Sequence, residues 1–258
     1  MAAELTDVDA RLDELVAIAA PYWAGEAEVV RTYFGRPRSK QDDIRWLRAQ
    51  AWKEFFGQLE GDPNGLVWGP INELRDSYPP IGRDARHRFL HVAEELYEEF
   101  HHYAMLADIL DELEGRPVSP EELRPCAEDA RLTELRKQNA VREGDLGVLA
   151  NKFTEGGGSG MYIAGSQITG GELEQRIAAA FRTIVGDEIG HMQSGARGLS
   201  RLIKTDRDWE NVKRMVADVS RQRVRMRNDM FGNPLSEDRL REIDEGKIEP
   251  LNRDILSQ

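Results

Sequence analysis

Two stretches of 32 residues, Arg83 to Glu114 and Glu172 to Ile203, run without a proline and repeat apolar residues at helical spacing. Each predicts a helix about 48 Å long. In the first, Phe89, Val92, Leu96, Tyr103, Leu106, Leu110 and Leu113 line one stripe. A stripe of that length is hidden most simply against other long helices. No run of alternating residues predicts a strand, so the fold class is read as all-α.

The same periodicity predicts short helices over Asp7 to Ala20 and Ala24 to Phe34, separated by Pro21, and a longer one over Asp42 to Glu60. Gly61 to Gly82 is broken by Pro63, Gly65, Pro70, Pro79 and Pro80, and Gly115 to Arg124 is a linker. Beyond it, Ala127 to Glu155 reads as helix, followed by a glycine-rich stretch to Gly171. Asp206 to Met230 is a further helix, ended by Gly232-Asn233-Pro234, and Ser236 is the N-cap of a last short one.

A chain of 258 residues can bury a substantial core. Its net charge of −12 argues against a nucleic-acid partner, whose phosphates demand clustered cations. Cys126 is the only cysteine, which excludes an internal disulfide and a thiolate-rich metal site. The apolar stretch Leu15 to Ala24 is too short to span a bilayer, and MAAELTDVDARLDEL carries no signal-peptide core, so a cytoplasmic chain with no membrane partner is expected.

An internal repeat is visible. Glu60-Gly61-Asp62-Pro63-Asn64-Gly65-Leu66-Val67 and Glu155-Gly156-Gly157-Gly158-Ser159-Gly160-Met161-Tyr162 share the form E-G-x-x-x-G followed by two apolar residues. Each precedes a long helix with Glu-x-x-His, which suggests two similar helix pairs in a four-helix bundle. With 27 Glu and five His, chance placement gives about half a Glu-x-x-His match. Three occur, at Glu98/His101, Glu99/His102 and Glu188/His191. Residues three apart share a helix face, so a carboxylate and an imidazole at that spacing reach one small volume. A two-metal bundle site takes two such pairs and one further Glu from each remaining helix. Glu60 and Glu155, from the repeat, are the natural candidates. Leu96, Glu99, His102, Tyr103 and Leu106 continue the apolar stripe, which favours Glu99 and His102 over Glu98 and His101. The metal ligands are therefore read as Glu60, Glu99, His102, Glu155, Glu188 and His191.

An acid followed by Glu-x-x-His, twice, as in Glu98-Glu99 and Asp187-Glu188, resembles the ferritin-like di-iron carboxylate superfamily, especially its oxygen-activating branch. The resemblance covers roughly residues 42–205. It implies one ferritin-like domain over 1–258, with N-terminal helices in 1–36 and C-terminal helices in 206–258. It implies two iron ions, or Mn or Mn/Fe, that activate dioxygen to oxidise a small molecule. Glu98 and Asp187 would support the ligand histidines, and Ser159 would assist proton delivery. An electron-donor protein and a homodimer are further expectations. Ferritin-type iron handling and manganese catalase are the alternatives. His87, His91 and His101 read as exposed or structural, the basic run Arg221 to Arg227 as a solvated face, and Trp46, Trp52 and Trp68 as core.

Overall fold

The computed structural model describes residues 2–57 and 65–251, apart from the side chains of 2–10, 157–158 and 188–194. Ten α-helices and one 3-10 turn, with no strand, make up the described residues: α1 (Ala2–Phe34), α2 (Lys40–Phe56), α3 (Trp68–Asp76), α4 (Arg83–Glu114), α5 (Ala127–Glu143), α6 (Asp145–Phe153), α7 (Gly156–Ser166), α8 (Glu172–Leu202), α9 (Asp206–Met230) and α10 (Glu237–Asp244), with the 3-10 turn at Pro120–Glu122. The protein is all-α. Among the described residues no helix is long and apolar enough to cross a membrane.

Side-chain caps fix several starts. The Ser39 hydroxyl accepts from the Asp42 amide at 3.2 Å while the Asp42 carboxylate accepts from the Ser39 amide at 2.9 Å, which opens α2. Thr205 and Asp208 repeat the device at α9, and Ser236 caps α10 as expected. The chain forms two compact units, Met1–Arg38 with Ala127–Gln258, and Ser39–Cys126.

In the larger unit α1 packs on α7 and α9, α7 on α8, and α6 on α8 and α9. Leu15, Ala19, Trp23, Phe153, Leu199, Val212 and Val216 share one apolar cluster. Three expectations are corrected here. Pro21 does not divide α1, which continues through it. A helical proline costs about 3 kcal/mol, but Ala19, Ala20, Trp23, Ala24 and Ala27 are buried on both sides of it, and their burial offsets that cost. The helix expected from Ala127 to Glu155 is split. Gly144, at φ 56°, turns the chain so that α6 runs back along α5. Asn139 then donates to Asn151 at 3.2 Å, and Asn151 to the Arg136 carbonyl at 3.0 Å.

The third correction is the basic run. Arg221 and Arg225 do point outward, pairing with Asp244 and Glu237 at 3.4 and 3.2 Å. Arg223 and Arg227 point inward and are buried. Both donate to the buried Glu26 of α1, from Arg223 Nε at 2.9 Å and from Arg227 Nε at 3.1 Å.

The glycine-rich segment also differs from expectation, because it forms the regular helix α7. A Cβ on Gly160 would stand 2.5 Å from the Trp23 carbonyl oxygen, and one on Gly165 only 1.8 Å from the Phe181 ring. These two glycines let α1 and α8 approach α7 closely. Gly160→Ala is therefore expected to destabilise the fold by about 1–3 kcal/mol, since a backbone oxygen cannot move aside cheaply. Urea unfolding of the variant measures it.

In the smaller unit α2 and α3 both pack on α4. Trp46 and Trp52 are core residues as expected, whereas Trp68 is 44% exposed.

Candidate metal centre

The middle of α4 carries Glu98-Glu99-Phe100-His101-His102-Tyr103. Its inward stripe places Tyr103 and Leu106 in the core, and His102 with them, fully buried. His101 lies a hundred degrees round the helix and stacks on the exposed Tyr97 at 5.5 Å. Glu99, one turn before His102, leans to the same side.

Facing them is α2, whose Glu54 is buried. His102 Nδ1 stands 3.8 Å from Glu54 Oε2 and 4.0 Å from Glu99 Oε2. One ligand atom from each of the three residues lies within 4.8 Å of the others. Gln50, one turn earlier on α2, donates its amide to Glu54 Oε1 and so fixes that carboxylate. Phe55 and Tyr103 close the aromatic surroundings, their rings 4.8 Å apart. Burial pushes the Tyr103 phenol pKa up, with Asp111 and Asp108 adding to the effect.

The donor set fits a divalent cation. Two carboxylates around one imidazole concentrate negative charge in a dry interior, where an unpaired charge is expensive. Metal–oxygen and metal–nitrogen bonds of about 2.0–2.2 Å bring neighbouring donors to about 3 Å, so each group here needs to move by about 1 Å or less. Nitrogen with oxygen donors suits iron, manganese or zinc.

Of the residues expected from sequence, Glu99 and His102 come together, and Glu54 joins them. Glu60 lies outside the described residues. Glu155 belongs to the larger unit, where it immediately precedes α7, and α7 packs on α8, the helix that carries Asp187, Glu188 and His191. The side chains of Glu188 and His191 lie outside the described residues, and Asp187 is half-buried. Ser159 follows Glu155 by one helical turn, with its amide on the Glu155 carbonyl at 3.4 Å. Its hydroxyl is buried and has no hydrogen-bond partner among the described residues. Tyr162 is buried edge-on against Phe181 at 5.0 Å. His91 is exposed, 3.5 Å from Glu95.

Glu54 is the residue that sequence reading missed. Its signal was its position four residues after Gln50 and three after Ala51, which places it on the face that α2 turns inward. Comparison with family models, with curated proteins and with solved structures finds no match to this chain.

Proposed function

We propose that the protein is a ferritin-like, non-haem di-iron enzyme that activates dioxygen to oxidise a small organic molecule, by hydroxylation, N-oxygenation or desaturation. The buried convergence of Glu54, Glu99 and His102 carries this reading. The second Glu-x-x-His, at Glu188 and His191, extends it, because the sequence repeats the same pair on a helix of nearly equal length.

On this reading the first ion would be held by Glu54, Glu99 and His102, and the second by Glu155, Glu188 and His191. The metals, when bound, supply the electrons that reduce oxygen. The residues do the rest. Glu54 and Glu99 offset the cations' charge, and Gln50 keeps Glu54 from rotating away. His102 would present Nδ1 to the ion, with burial keeping bulk water from competing. Glu98 and Asp187 orient the ligand histidines. Ser159 holds a hydroxyl proton with no fixed acceptor, ready to pass it toward Glu155.

Anaerobic titration with ferrous iron is the direct test. Two ions per chain are expected, one for each Glu-x-x-His pair. Admission of oxygen should then give a transient visible charge-transfer band. A saturating stoichiometry of zero ends the proposal. A single ion ends the di-iron part of it.

A further inference from the structure

The larger unit holds a second polar cluster to which metal binding assigns no role. Buried cations in proteins are normally paired. Arg223 and Arg227 follow that rule through Glu26. Arg136 on α5 does not. Its Nε and Nη2 are sealed from solvent without a hydrogen-bond partner, and no carboxylate of the described residues forms an ion pair with it. Arg136 as a residue is only part-buried, so the sealed edge lies just inside the surface.

The two sealed nitrogens form one edge of the guanidinium. That edge is the fork whose parallel N–H groups match the two oxygens of a carboxylate. Burial draws the Arg136 pKa down and Arg223 adds to this, while Glu155, Asp129 and Glu26 oppose it without reaching pairing distance.

The larger unit holds further buried donors without partners. Trp23 Nε1, Ser159 Oγ and Ser220 Oγ are buried and lack hydrogen-bond partners among the described residues. Trp23 lies one turn before Glu26 on α1, Ser220 one turn before Arg223 on α9, and Ser159 one turn after Glu155 on α7. Each is thus a single turn from a residue whose charge reaches Arg136. Native interiors satisfy nearly all such groups. Water satisfies hydrogen bonds but leaves the arginine's charge uncompensated, whereas an anion answers both.

We propose that Arg136 anchors a buried site for a small monocarboxylate, gripped by Nε and Nη2. The fork selects a carboxylate, whose two oxygens match its two parallel N–H groups. The site stands on the larger unit alone. Its identification with the charged end of the oxidised substrate rests on the functional reading above.

The test uses the full chain, metal-free and iron-loaded, with acetate, hexanoate and benzoate as probes at constant ionic strength. Benzamide is the uncharged control and inorganic phosphate the competing anion. Calorimetric titration should show at least one carboxylate binding, and benzoate binding at least about tenfold more tightly than benzamide. Arg136→Gln should weaken the carboxylate about a hundredfold by removing two charge-assisted bonds. Arg136→Lys should fall between, since an ammonium cannot form the fork. Without ligand, Arg136→Gln should melt at or above the wild-type temperature, because it removes an uncompensated buried charge. The proposal is overturned if no carboxylate binds either form, if phosphate binds in their place, or if Arg136→Gln melts lower and leaves carboxylate affinity unchanged. Carboxylate binding in a protein that takes up no iron would support the site and overturn only its assignment to the substrate.

Discussion

His102→Ala is expected to cut ferrous iron from two ions per chain to one and to abolish the oxygen-dependent band. His102 is fully buried and supplies the only nitrogen to its cluster, so its loss leaves Glu54 and Glu99 without their central partner. Two bare carboxylates at that depth hold one proton between them more readily than they hold a metal. Affinity at that position should fall at least about a hundredfold, beyond the loss caused by weaker outer contacts. Glu99→Ala and Glu54→Ala should behave alike. His101→Ala should keep both ions, since its ring rests on Tyr97. Metal analysis after dialysis reads all four variants, with Glu60→Ala as the contrast to Glu54→Ala. Iron lost in Glu60→Ala and retained in Glu54→Ala would reverse the assignment.

Glu26→Gln is expected to destabilise the protein by about 3–5 kcal/mol, the usual cost of breaking a buried ion pair from one side. The substitution keeps the volume, so no cavity confuses the result. It leaves Arg223 and Arg227, both nearly inaccessible, facing each other around a neutral amide. Arginine cannot escape by losing its proton. Replacing all three residues by apolar ones of similar size should recover most of the loss. Urea unfolding with a fitted slope provides the measurement. A change under about 1 kcal/mol would mean that solvent reaches the trio.

The long helices were legible because their apolar stripes run between proline- and glycine-rich breaks. Arg83 to Glu114 and Asp206 to Met230 begin and end where expected, and Ser236 caps α10. The register of α4 was legible too, since Leu96 and Leu106 place Glu99 and His102 on the buried face. What failed were places where packing outweighs local preference. Pro21 signals a break, yet the apolar residues around it keep α1 whole. The glycine-rich stretch after Glu155 was set apart from the helices, yet it forms α7, where two glycines admit the backbone of α1 and the ring of Phe181. Glu54 was hidden for a different reason. Helix α2 is buried on nearly every side, so its polar residues do not stand out from a stripe. Arg223 and Arg227 were misread because the partner that draws them inward, Glu26, is 197 and 201 residues away.

That separation has a consequence for how the molecule comes into being. The smaller unit is one contiguous segment, so its contacts can form while synthesis continues. Helix α1 emerges before α9 and cannot meet it until nearly two hundred further residues have been added. At about 5–20 residues per second, this is roughly 10–40 s during which Leu15, Trp23, Val29 and Val30 lack their native cover. The nascent chain is therefore exposed to aggregation along α1, and chaperone demand should track the time between α1 and α9.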